Sequence, residues 1–161
     1  MAKFDWKSLS TRDQVAIGAS AVALIALFLP WYGVSADGFS ASVTGWSTSY
    51  GWLGALLIIA AGGLLVAHRA GADTSRLRLT PTVLVLATSA LGTLIVLIRW
   101  LTLPSGHYGI AGVSVASYGP SIGIILTIIA GLIETAIAVM MFRSSGEELP
   151  WTKHATDTGA N

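Results

Sequence analysis

Glu134 is the side chain in this sequence best placed to do chemistry. It is the single charge among the 23 residues of 120–142, PSIGIILTIIAGLIETAIAVMMF. At about 1.5 Å of rise per residue that stretch covers roughly 34 Å, enough to cross the roughly 30 Å apolar core of a bilayer. Holding a charge at such depth is costly, so the carboxyl is expected to be neutral, paired, or facing a wet cavity. Gly123, Thr127, Gly131 and Thr135 recur every four residues, a small-residue stripe that lets another helix approach closely. Glu134 lies beside this stripe, with Ala130 and Ala138 four residues away and Thr127 seven. It is therefore expected to point between helices rather than at lipid. Ser20, Gly63 and Thr88 sit at about its level, counted from the helix ends. Three readings stay open: a protonated Glu134 hydrogen-bonded to Ser20 or Thr88, a group that handles protons or ions, and a contact with another protein. Arg99 is not expected to pair with it, because their backbone heights differ by roughly 18 Å at 1.5 Å per residue.

Other chemistry is thin. His68, His107 and His154 occupy three separate segments, and no pair has metal-ligand spacing. The chain has no cysteine, which excludes disulfides, thiol catalysis and thiolate metal sites. Its serines form no Gly-x-Ser-x-Gly elbow, and its glycines form no phosphate-cradling loop. We expect no catalytic site, no metal and no cofactor. A net charge of +1 with scattered basic residues gives no field for nucleic acid.

The elements that must position Glu134 follow from apolar runs. Of 161 residues, 53% are apolar and 11% charged, with a mean hydropathy of +0.72. A soluble domain is nearer 25% charged, so the class is membrane protein. We predict an all-α bundle of four transmembrane helices over residues 12–31, 50–68, 80–101 and 120–143, forming a single domain. Thr11 with Gln14 fits a capping box for the first helix, and Pro30 ends it. A signal peptide, with Val34 and Ala36 framing its cleavage pattern, rivals that helix. Recurrence of the same module later in the chain favours a retained span. Gly54, Ala60, Ala61, Gly62 and Gly63 thin one surface of the second helix. Thr80-Pro81 reads as N-cap and first helical residue of the third, where the missing N–H of proline costs nothing.

Eight of the nine Lys and Arg residues, Lys3, Lys7, Arg12, Arg69, Arg76, Arg78, Arg143 and Lys153, fall at one end of such a bundle, and Arg99 at the other. The positive-inside tendency then places both termini in the cytoplasm and the protein in the inner (plasma) membrane. Arg99 is expected to snorkel outward beside Trp100. Trp31, Trp46, Trp52 and Trp100, with Tyr32, Tyr50, Tyr108 and Tyr118, form an outer aromatic cap at the opposite boundary, where amphipathic rings are favoured. Phe4 and Trp6 read either as part of a frayed tail or as an interfacial anchor. Residues 152–161 read as a disordered cytoplasmic tail.

The outer loops, 32–49 and 102–119, carry strand alternation, Phe39, Ala41 and Val43 against Ser40, Ser42 and Thr44, then Val113 and Val115 against Ser114 and Ala116. Asp37-Gly38 is a tight-turn dipeptide. We expect two hairpins paired into a small extracytoplasmic antiparallel sheet, with an irregular Gly/Ser-rich loop as the alternative. Tyr32-Gly33-Val34-Ser35 also matches Tyr108-Gly109-Ile110-Ala111, after Leu29-Pro30 and Leu103-Pro104 respectively. The chain reads either as two tandem two-helix repeats or as shared boundary chemistry.

Residues 9–13, Leu9-Ser10-Thr11-Arg12-Asp13, with Phe28-Leu29-Pro30-Trp31-Tyr32-Gly33, Gly45-Trp46 and Gly51-Trp52-Leu53-Gly54, resemble small uncharacterised four-span membrane proteins of actinobacteria. The resemblance covers mainly residues 9–67 and implies an envelope location with no known activity. Four helices under a small sheet are also similar to claudin-like tetraspans in architecture, without the paired loop cysteines of that family. The function expected is non-enzymatic: a protein that sits in the lipid bilayer and acts through contacts with other membrane proteins or with itself. The alternative is a small proton- or solute-handling channel or transporter that uses Glu134.

Overall fold

The computed structural model describes residues 7, 9–36, 38–72, 79–110 and 113–146, with backbone alone at 110 and 113–115. Phe4, Trp6, Asp37, Arg76, Arg78, Ala111, Gly112 and the tail from residue 147 lie outside the described residues. Four helices, α1 (Thr11–Phe28), α2 (Gly51–Arg69), α3 (Pro81–Thr102) and α4 (Ile122–Ser145), make up most of the chain. Each is long and apolar enough to cross a membrane. Each packs along its neighbours in chain order and α4 closes on α1, so the helices form an antiparallel ring. Both chain ends of the bundle lie at one side, the terminus end.

Helix limits follow local chemistry. Ser10, not Thr11, caps α1. Its hydroxyl accepts from the Asp13 N–H at 3.2 Å while its own N–H donates to Asp13 Oδ2 at 3.3 Å. The capping box is thus one residue earlier than expected. The carboxylate of Asp13 completes it because its other oxygen is held by Arg69 of α2, Nη2 to Oδ1 at 3.0 Å. Ser10→Ala should cost about 1 kcal/mol, read as a lowered unfolding midpoint in detergent. Thr80 and Pro81 take the N-cap and first-turn positions at α3 as expected. The first helix stops at Phe28 rather than residue 31. Pro30 pushes Leu29 out of the helical region to ψ 162°, and Pro30 and Trp31 already belong to a strand. Likewise α4 begins at Ile122, because Pro120 is the last residue of a strand.

Both loops fold into hairpins, β1 (Pro30–Ala36) with β2 (Phe39–Thr44) and β3 (Gly106–Ile110) with β4 (Val113–Pro120). They join through β1 and β4 into one antiparallel sheet of order β2-β1-β4-β3, in register from Tyr32 opposite Pro120 to Ala36 opposite Ala116. Gly38 turns the first hairpin at φ +80°. The β1–β2 register slips by one residue at Trp31, a bulge that re-aims this side chain into the bundle. The sheet rests on the bundle through β1 against α4, and the Ser121 N–H donates to the Trp31 carbonyl at 2.9 Å.

The interior has two apolar clusters. Toward the sheet lie Ala23, Leu27, Trp31, Ile58, Val96 and Ile124; toward the termini lie Ala16, Ala61, Leu65, Val85 and Ala138. Small residues set the helix spacing. A Cβ at Gly54 would stand 2.7 Å from the Gly92 carbonyl, and one at Gly92 2.6 Å from the Gly54 carbonyl, so α2 and α3 meet backbone to backbone. Large apolar side chains such as Ile25, Phe28, Leu94, Leu101 and Leu132 point outward instead. That arrangement suits a lipid solvent.

Candidate functional site

Glu134 is wholly buried, flanked along α4 by the buried Ala130 and Ala138. Ser20 of α1 and Gly62 of α2 meet it. A Cβ on Gly62 would collide with the Ser20 side chain and stand 3.6 Å from Glu134 Oε1, so glycine there makes room for both. Neither carboxyl oxygen has a hydrogen-bond partner among the described residues. Ser20 is the polar group beside it, but its hydroxyl is turned toward the carbonyls of Ala16 and Ile58, each at 3.3 Å. Thr88 donates within its own turn to Leu84 O at 2.7 Å, and Thr127 to Gly123 O at 2.8 Å. Thr88 is therefore spent within its own helix, while Ser20 lies against the carboxyl with its hydroxyl turned to backbone carbonyls. A helical serine or threonine always has its own i−4 carbonyl within reach, so hydroxyls at the right depth are satisfied at home.

Depth is the feature that gives this carboxyl a setting. A cavity of about 570 Å³ opens between all four helices at the terminus end. Asp13, Arg12, His68 and Arg69 lie on its wall, and Leu65, Val85 and Ala138 line it deeper in. Deeper still stand Ser20, Gly62, Ser89 and Glu134, all buried, about one turn beyond Leu65, Val85 and Ala138 on α2, α3 and α4 and two turns beyond Asp13 on α1. Asp13 was missing from the sequence-based candidates. The signal was present, an acid in the first turn of one helix and Arg69 closing its antiparallel neighbour at the same end.

The remaining candidates divide by direction. Gly123 lies against Trp31 and the carbonyls of Ala26 and Pro30, and Gly131 against Thr93 and Ile58. Gly62 packs inward as described, whereas Gly63 faces outward with nothing within 4 Å of a would-be Cβ. Trp46, Trp52 and Trp100 are exposed at the sheet end, Trp46 edge-on to Phe28 at 5.9 Å between ring centres. Trp31 does not belong with them. It is wholly buried, and its Nε1–H donates to the Ala26 carbonyl at 2.8 Å. Arg99 stays at the sheet end with its guanidinium 5.8 Å over the Tyr50 ring, far from Glu134. Among the described residues no three His, Cys, Asp or Glu gather as metal ligands; His154 is outside them.

Set against known proteins, the chain matches no family, no curated sequence and no solved structure.

Proposed function

We propose that this chain is a multi-pass protein of the inner (plasma) membrane that acts without enzymatic chemistry, through contacts, as an accessory subunit of a cell-envelope complex or as a homo-oligomer. The observation that carries this reading is a set of small residues that internal packing leaves unused. Gly54, Gly62, Gly92, Gly123 and Gly131 are each taken up by a neighbouring helix inside the chain. Gly18 on α1 and Gly63 on α2 are not, and Ala21 and Ala60 beside them are exposed. In lipid, where apolar surface gives helices no reason to associate, such thin faces permit the close approach that does. Lys7, Arg12, Arg69 and Arg143 at the terminus end against Arg99 at the sheet end support cytoplasmic termini and an extracytoplasmic sheet. Each half, a helix, a hairpin and a returning helix, also fits a tandem repeat.

Gentle extraction from native membranes followed by identification of companions tests the contact reading, and a lone monomer counts against it. Gly63→Leu, which fills an outward step without touching the core, should release companions or split an oligomer on size-exclusion chromatography while leaving the melting temperature within a few degrees. A Gly63→Leu protein with its assembly intact removes this face from the proposal.

A second reading has its own support. An uncompensated carboxyl, fully buried among helices of this apolarity, is retained at a cost, which marks a group kept for use, here in a small proton- or solute-handling channel or transporter. Under this reading Glu134→Gln abolishes flux in proteoliposomes; unchanged flux removes it.

A further inference from the structure

The cavity at the terminus end and the buried carboxyl are separated by one apolar layer. Ala16, Leu65, Val85 and Ala138 make that layer, and three of these four also line the cavity. Going inward by one turn, Ala16 leads to Ser20, Leu65 to Gly62, Val85 to Ser89 and Ala138 to Glu134. One helical turn is about 5.4 Å, two water diameters. Two of the four layer residues are alanines, and Leu65 is the largest of the four side chains. The other direction is different. Leu27, Ile58, Val96 and Ile124 are wholly buried between Glu134 and Trp31 of β1. The hydroxyls of Thr93 and Thr127, buried in the same stretch, are spent on the Ser89 and Gly123 carbonyls of their own helices. Ile124 stands ten residues from Glu134, about 15 Å along the helix axis.

The surroundings also choose the ligand. Hard metal cations gather about six oxygens or more, whereas around the Glu134 carboxyl the described residues offer the hydroxyls of Ser20, beside it, and of Ser89, in its layer, both turned to backbone carbonyls. Among the described residues, α1 presents Ser20 to it with Asp13 two turns away; α2 presents Gly62, with His68 and Arg69 nearly two turns away. On α3 Ser89 lies in its layer with Arg99 toward the sheet, and α4 carries no charge before Arg143. No charged group faces the carboxyl from any element packed against it. So few oxygen donors suit a proton rather than a hard cation.

We propose that Glu134 is a proton-binding site loaded and unloaded from the terminus end alone, through the four-helix cavity and across the Ala16, Leu65, Val85 and Ala138 layer. This rests on the solute-handling form of the second reading and makes Glu134 its one-sided proton-responsive group, with no proton path across the membrane. The proton leaves Glu134 as the acid, passes to a water that has crossed the layer, and exits by the cavity; loading is the reverse.

The full chain, reconstituted in vesicles with one orientation, tests this by infrared difference spectroscopy during pH steps applied to one face at a time. The reporter is the protonated-carboxyl carbonyl band that Glu134→Gln removes. We expect the band to follow pH at the terminus face and to ignore the sheet face. A band that follows the sheet face, or both faces, overturns the one-sided access and leaves the second reading standing. A band that responds to neither face overturns the second reading as well. A second arm does not depend on folding of the Glu134 variant. With no native cysteine in the chain, Ala138→Cys and Ile124→Cys give clean single thiols. A small charged thiol reagent at the terminus face should modify Ala138→Cys and spare Ile124→Cys; the opposite pattern overturns the proposed route.

Discussion

A Trp31→Ala variant is expected to lose about 3–5 kcal/mol, the range for deleting a large aromatic side chain from a packed core. The loss should appear as a sharply lower melting temperature or as failure to survive extraction. The indole ties three things together. It fills the space left by Gly45, Gly51 and Gly123, each of whose would-be Cβ atoms comes within 3 Å of the Trp31 ring. Its Nε1–H donates to the Ala26 carbonyl, which also accepts from the Leu29 N–H at the end of α1, so the indole is pinned to the helix terminus. Its backbone carbonyl accepts from Ser121, where α4 begins. Alanine would leave a void that glycines cannot fill, under the seam where the two hairpins join. Trp31→Phe separates the contributions: most of the packing stays and the indole bond goes, so the loss should be nearer 1 kcal/mol. Equal damage from both variants would show that the hydrogen bond, not the packing, holds the sheet to the bundle.

Glu134→Met is expected to go the other way and stabilise the protein, by about 1–3 kcal/mol, the usual penalty of a buried polar group without a partner. Methionine is close to glutamate in length and flexible enough to settle between Ser20, Gly62 and the α4 alanines. Neither oxygen of Glu134 takes part in a bond that the substitution would break. The check is thermal unfolding of both proteins in the same detergent, beside assembly and flux measurements. A lower melting temperature for Glu134→Met would mean that the carboxyl has a partner in the folded protein. Under the contact reading the stabilised variant still captures its companions; under the proton-handling reading it is more stable and inactive, the trade expected where a strained group is kept for function.

Several elements were legible in the sequence because the forces behind them are local. Apolar runs about twenty residues long give four helices, since backbone groups in an apolar solvent must bond within the segment. Thr80-Pro81 marks the start of α3, and the Phe39 to Thr44 alternation marks β2, because each depends on near neighbours in the chain. Glu134 stood out for the same reason, as one charge in a long uncharged run.

Tertiary structure decided which way things face. Gly62 and Gly63 are adjacent and alike as letters, but 100° of helical rotation puts one against Ser20 and Glu134 and leaves the other in the open. Trp31 reads as one boundary aromatic among several, and the bulge in β1, set by pairing with β2, sends it into the core. Ser20 and Thr88 lie at suitable depths, yet each hydroxyl bonds to backbone before any carboxyl. By itself, then, the sequence determined four apolar helices, two hairpins and a single acid within the last helix, all set by neighbours along the chain. The partnerless state of that acid, and the single layer between it and a cavity, arise only where four helices meet, because burial and pairing belong to the packed bundle and to no segment alone.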